Sequence, residues 1–482
     1  MKKFMIGWSE EDITPVTEKK IALYGQYYAR TATEIHSRLK TVAVAISYGN
    51  EQFLTASLDL VNFQQDFHRK IRAAVHELNP EIKSENIFLN AIHTHCAPAA
   101  AKIGHSNSWR ERNPEALSPE EYMEFVIPII AENLVCAWQN RTEGGIARAF
   151  GYARVGHCRR AVYTNGKAEM YGDTTRPDFI GMEAGEDSGV DMLFTYDVAG
   201  KKTGMLLNLA CPSQVMEATC KISSDFAGAT RELLKKEYGK DFHTLYQISP
   251  AGCQSPRDLV RHYTTEPDFW HEDGVMEIAN RLLEAVKHAE PSEINYAPVF
   301  KHTSMHVMLP RRRASYQDYK AAQTELKKLI ALMPEQEAFK AFCAETHAKE
   351  KLNGPGPYDS KLHHFVLIKN AQAVIDRYRI QDEEPTVGFD MNIIRLGDIA
   401  IASNPFELYL YYGQNIKARS KAKQTFLVQL AAGADHPAGY LPSPDAEKFG
   451  GYGGLIINGQ VGSDGGFMLA EITVKEINKL FE

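Results

Sequence analysis

The run Asn86-Ile87-Phe88-Leu89-Asn90-Ala91-Ile92 is apolar and β-prone, and it ends on two histidines one residue apart, His93 and His95. A strand turns alternate side chains to alternate faces, so this spacing predicts two imidazoles pointing the same way where the run meets its terminating loop. Loops carried by a rigid sheet are where catalytic groups are usually held. The competing interpretation is that one or both histidines satisfy polar partners in a crowded core.

The flanking sequence predicts what carries this strand. Residues 42–48 and 53–60 read as two strands joined by the turn cluster Gly49-Asn50-Glu51-Gln52. Apolar positions Phe67, Ile71, Val75 and Leu78 have the spacing of an amphipathic helix over residues 64–78, which Asn79-Pro80 stops. Ser118-Pro119-Glu120-Glu121 has the cap, proline and glutamate order of a helix start, and that helix runs to about Gln139. Two further core strands are expected at 203–209 and 243–248, separated by a helix from about Ser224-Asp225 to Gly239. Alternating strands and helices imply an α/β architecture of layered mixed sheets flanked by helices. Residues 314–382 change to charged helical segments interrupted by Asn353-Gly354-Pro355-Gly356-Pro357, before strands return at 387–396 and 399–403. That stretch is predicted to be a helical excursion between two core strands, serving as an arm, a lid or a homo-oligomer contact. With no repeat and no convincing linker, residues 1–482 are expected to form a single domain.

Composition limits the partners. A net charge of −7 gives no global basic field, so nucleic acid and anionic membrane surfaces are not expected as partners. The one dense basic cluster, Arg311-Arg312-Arg313, reads as a solvated or phosphate-facing turn. Seven cysteines without a C-x-x-C pair fit reduced thiols better than a disulfide framework. No signal-peptide h-region and no run of about 18 apolar residues is present, which gives a cytoplasmic protein without stable membrane insertion as the expectation.

Four more loops follow strand-like runs and carry reactive groups. They place Cys211 before Pro212-Ser213-Gln214, Ser255 in Gly252-Cys253-Gln254-Ser255-Pro256-Arg257, Glu407 after Asn404-Pro405-Phe406, and Tyr440 after Asp435-His436-Pro437-Ala438-Gly439. Taken with Asp12-Ile13-Thr14-Pro15, Ile35-His36-Ser37-Arg38-Leu39, His93-Thr94-His95 and Ser224-Asp225-Phe226, their order resembles the catalytic domain of the neutral (non-lysosomal) ceramidases and their shorter bacterial relatives. The resemblance spans nearly the whole chain and implies that family's α/β catalytic domain without its C-terminal immunoglobulin-like module.

The resemblance further implies one zinc ion held by His93, Cys211, Glu407 and Tyr440. Cys211 stands where the family has histidine, and a thiolate beside Glu407 would weaken the Lewis acidity of the ion. It places the catalytic serine at Ser255, with Cys253 in the position of the family's aspartate, and offers His95 for substrate positioning or proton transfer. Arg159 and Tyr452 fall on the positions that assist the carbonyl oxygen. Should Cys211 face an apolar core instead, His95 or His436 becomes the expected third ligand.

The expected function is a zinc-dependent hydrolase cleaving a linear amide (N-acyl) bond of a small soluble or lipid-like substrate. An esterase or lactonase would use the same parts. A metal-binding scaffold whose chemistry has faded is the reading from another class, made conceivable by Cys211 and Cys253. A TIM-barrel amidohydrolase using His93 and His95 would instead demand an eightfold strand–helix repeat.

Overall fold

The computed structural model describes residues 2–24, 30–100, 111, 113–261, 270–348, 362–431, 433–434 and 438–482. Lys40–Tyr48 and Glu51–Leu58 form the expected hairpin, paired from Thr41↔Leu58 to Tyr48↔Glu51, with Gly49 at φ 64° in the turn. Gln65–Leu78 is helical and leads through the loop at 79–86 into the strand Ile87–Ala91, which lies parallel to Glu51–Leu58. Ser118 caps the helix Pro119–Gln139: its side chain accepts from the Glu121 N–H at 3.1 Å, and Glu121 Oε2 accepts from the Ser118 N–H at 2.9 Å.

Among the described residues these strands belong to an eight-stranded mixed sheet. Its order across the sheet is His243–Ile248, Lys202–Leu209, Gly189–Asp197, Thr142–Tyr152, Phe4–Asp12, Lys40–Tyr48, Glu51–Leu58 and Ile87–Ala91. Alternation along one strand decides which layer each face meets. Val42, Val44 and Ile46 join Phe4, Trp8, Phe53 and Phe88 in a core shared with Phe300, Ile394, Ile401 and Phe426 of a second sheet. Ala43 and Ala45, one residue out of phase, face the helices Gln65–Leu78 and Pro119–Gln139 together with Phe67, Ile71, Val126 and Ile130. The small side chains on that face let the helices lie close, and the larger branched ones fill the space between sheets. The second sheet runs Phe300–Pro310, Thr386–Leu396, Ile399–Ser403, Gln424–Val428, and the C-terminal helix Ser463–Leu480 covers its outer side. The layers are therefore helix, sheet, sheet, helix. This open sheet order is incompatible with an eightfold barrel.

Phe300–Pro310 and Thr386–Leu396 pair antiparallel along their whole length, so the segment between them is an excursion from one edge of the second sheet. It contains the helices Tyr316–Leu332, Glu335–Ala348 and His364–Ile380; the Asn353–Pro357 segment lies outside the described residues. The Arg311–Arg313 cluster is neither solvated as a whole nor phosphate-facing. Arg311 is buried, donating to Glu384 Oε2 at 2.8 Å and Gln460 Oε1 at 2.7 Å, while Arg312 pairs with Glu447 and Arg313 with Asp382. Its charges are spent fastening the root of the excursion to the domain.

Candidate active site

The strand stops at Ala91, two residues before the first histidine, and His93 has φ 64° in the left-handed region. The pleat therefore does not place the two imidazoles, contrary to the alternation argument. They meet because the loop turns back: His95 Nε2 lies 3.2 Å from His93 Nε2. His93 Nδ1 faces the Val61 carbonyl at 2.9 Å, which accepts only, so that nitrogen carries the proton. The neutral ring then offers a lone pair at Nε2, and His95 fills it with an N–H. Burial depresses both pKa values, that of His95 strongly, which keeps both rings neutral. Buried Arg30 fixes this turn, donating to the carbonyls of His95 and Tyr24 at 2.7 Å and of Thr219 at 2.6 Å.

Glu407 and Tyr440 arrive as a two-residue parallel pair, register Glu407↔Tyr440. Glu407 Oε2 stands 3.8 Å from His93 Nε2 and 3.8 Å from Arg159 Nη2. Arg159 is 1% exposed, and its Nη2 donates to the Tyr440 hydroxyl at 3.2 Å and to the Gly252 carbonyl at 3.1 Å. The Ser255 loop approaches so closely that a Cβ on Gly252 would lie 2.3 Å from the Glu407 carbonyl, so only glycine fits there. Gln429 ties the two segments, its Oε1 accepting from the N–H groups of Ala251 at 3.0 Å and Leu408 at 3.1 Å.

Ser255 is fully buried, and its Oγ accepts from the Arg257 N–H at 3.1 Å. The same oxygen lies 3.3 Å from the hydroxyl of Tyr171, a residue at φ 56° just after the strand Ala168–Met170. Around the Tyr171 hydroxyl gather Gln214 Nε2 at 2.6 Å, Glu217 Oε1 at 3.2 Å and Arg159 Nη1 at 3.3 Å. Glu217 is 0% exposed, 3.7 Å from His95 Nδ1, and burial pushes its carboxyl up to about 7. Asp225 holds the loop that carries Glu217 by accepting from the Met216 N–H at 2.8 Å.

Tyr171, Gln214, Glu217 and Arg30 are absent from the sequence-derived site. Gln214 and Glu217 follow Cys211 in the same strand-end loop, so extending that loop by three residues past Gln214 captures both. Nothing in the Ala168–Tyr171 sequence marks its tyrosine. Tyr452 stands one ring further out, edge-to-face with Tyr440 at 5.5 Å, and packs against Phe342 and Val366 of the helical excursion. The excursion thus walls one side of the site. His436 lies outside the described residues.

The implied zinc set does not fit these side chains. The Cys211 thiol is fully buried and points at the Val155 carbonyl, donating at 3.1 Å, and burial raises its pKa well above the usual thiol value. The thiol is thus engaged by a backbone carbonyl of another segment. Tyr440 and Glu407 face the Arg159 guanidinium, and the His93 lone pair meets His95. Among the described residues no three histidine, cysteine, aspartate or glutamate side chains are grouped so as to hold a metal ion. None of the seven cysteines is joined in a disulfide. Cys211→Ala is expected to keep the turnover of the parent protein on its best substrate and lose about 1–2 kcal/mol of stability through the vacated donor and volume. Loss of turnover in a variant with an unchanged melting curve would return Cys211 to the chemistry.

With this geometry in place, comparison with solved structures is decisive for the architecture. The chain superposes on the neutral ceramidase from Pseudomonas aeruginosa with a TM-score of 0.67 at 17% identity, covering 98% of this chain and 74% of that one. A ceramidase complexed with C2 gives 0.69 at 16% identity with the same coverage. The chain has the neutral ceramidase fold. No family model matches the sequence, and no curated protein sequence does either. The fold brings His93, His95, Arg159, Ser255, Glu407 and Tyr440 into one neighbourhood from segments spread over some 350 residues. Cys211 is the member it leaves aside. Among the described residues no helix is long and apolar enough to cross a membrane.

Proposed function

We propose that this protein is a hydrolase that cleaves the amide bond of an N-acyl substrate, with Ser255 as nucleophile. The observation that carries the reading is the setting of Ser255: a fully buried hydroxyl in the two-residue strand Gln254–Ser255, touching Tyr171, which in turn touches the buried Arg159 and Glu217. Attack by Oγ on the carbonyl carbon moves the carbonyl electrons to oxygen, and the Arg159 guanidinium is the fixed positive charge for that oxyanion. Collapse expels the amine and leaves an ester on Ser255, which water hydrolyses. The likeness to ceramidases supports an amide over other acyl bonds.

Tyr171 also forms part of the wall of a cavity of about 260 Å³, lined among others by Asp173, Thr174, Arg257 and Arg261. Pockets that hold drug-sized ligands measure about 300–1,000 Å³, so this space suits a small acyl or amine group. A panel of N-acyl amides and matching esters, from short to long chains, tests the reading, with mass spectrometry of the acylated peptide. Burst release of amine with an acyl adduct on Ser255 is the expected result. No turnover across the panel and no adduct would defeat it.

A further inference from the structure

Any serine nucleophile at neutral pH needs a group to take its proton, within hydrogen-bond reach. Neither imidazole of this site is hydrogen-bonded to Ser255: His93 Nδ1 donates to Val61, His95 Nε2 meets His93 Nε2, and His95 Nδ1 faces Glu217 at 3.7 Å. The oxygen that does touch Ser255 Oγ is the Tyr171 hydroxyl, and its next acceptor is the buried Glu217 carboxylate. We propose that Tyr171 takes the Ser255 proton while Glu217 takes the tyrosine's, so that a tyrosine–glutamate pair activates the serine. This rests on the reading of Ser255 as nucleophile and supplies the acceptor that reading lacks.

Each bond is accounted for. The Arg257 N–H occupies one lone pair of Ser255 Oγ and leaves the hydroxyl hydrogen to be donated toward Tyr171. As Oγ bonds to the carbonyl carbon, its proton passes to the Tyr171 oxygen and the phenolic proton passes to Glu217 Oε1. The carboxylate becomes a neutral acid and the carbonyl oxygen takes the negative charge. On collapse the C–N bond breaks, and the proton returns from Glu217 through Tyr171 to the departing nitrogen. Water then attacks the serine ester, gives its proton along the same path, and the return of that proton to Ser255 Oγ releases the carboxylic acid.

The surroundings favour this path. Gln214 Nε2 donates to the Tyr171 oxygen at 2.6 Å and reaches Glu217 Oε2 at 3.3 Å, so one amide orients both partners. Serine donation takes the lone-pair position that Arg159 Nη1 holds at 3.3 Å, and that N–H then turns to the oxyanion. Tyr171 is thereby a catalytic residue and Glu217 a positioning residue that acts through it.

The test uses the full-length protein and two variants, Tyr171→Phe and Glu217→Gln, each checked by circular dichroism and melting temperature. Two readouts are taken: the rate of Ser255 phosphonylation by a fluorophosphonate probe, followed by intact mass, and kcat and KM on the best amide. Both variants should lower phosphonylation and kcat by about 10²–10⁴ with KM within about threefold, the loss expected when a general base is removed. A merely structural role would move KM or the melting temperature instead. If the parent protein labels at Ser255 and both variants match its rates, the relay is wrong and the nucleophile stands. If the parent protein neither labels nor turns over, the nucleophile reading fails and the relay with it. Labelling abolished by a chelator and restored by added zinc would overturn the relay in favour of a metal-bound base.

Discussion

Ser255→Ala is expected to abolish amide turnover, by on the order of 10⁴ or more, while leaving the protein folded. The size follows from the role: deleting a nucleophile removes the covalent route, and only binding and electrostatic groups remain to assist water. The small structural cost follows from the partners. Ser255 Oγ accepts one backbone N–H, from Arg257, and touches one hydroxyl, from Tyr171. A water molecule in the vacated space can answer both, so the stability loss should stay near about 1 kcal/mol. Steady-state rates on the best amide and its ester, beside a thermal melt, separate the two effects. A variant with parental rates would mean that water attacks directly, and the serine ester would have no place in the reaction.

The sequence reveals those parts of this molecule that local pattern decides. The hairpin over 40–58, the capping box at Ser118 and the strand pair flanking the excursion all follow from periodicity or from cap and turn chemistry within a few residues. The four loops carrying Arg159, Ser255, Glu407 and Tyr440 were legible as strand-end loops or through family resemblance. What was not legible depends on the fold as a whole. Cys211 sits at the expected strand end, but whether its Sγ faces the imidazoles or the Val155 carbonyl is fixed by a neighbouring segment some 56 residues away. Tyr171 meets Glu217 across 46 residues and Ser255 across 84, and no local signal marks such a meeting. The left-handed turn at His93 defeats the alternation rule because a single residue with positive φ breaks the pleat. The two histidines still meet, held by Arg30 rather than by the strand. Arg311 to Arg313 misled for a related reason: charge density in sequence says nothing about the carboxylates that long-range packing brings to it.

Arg159→Met should cost more stability than any other single change at this site, and it should lower the rate as well. The guanidinium is buried beside two carboxylates, Glu407 at 3.8 Å and Glu217, whose pKa it holds down against the effect of burial. Removing one partner from a buried charge cluster leaves the others uncompensated, a loss of about 3–5 kcal/mol. The apolar methionine fills most of the volume but offers nothing to the Gly252 carbonyl, the Tyr440 hydroxyl or the Tyr171 hydroxyl, which the arginine holds together. At temperatures where the variant is still folded, losing the charge that meets the oxyanion should lower kcat by a further ~10²–10³. Arg159→Lys divides the two contributions. A single ammonium restores the charge but cannot span three oxygens set around a planar fork, so much of the stability should return and little of the rate. Thermal melts and kcat for the pair decide it. If the methionine variant melts with the parent protein, the cluster is not held by this charge, and the assignment of Arg159 to the oxyanion loses its structural basis.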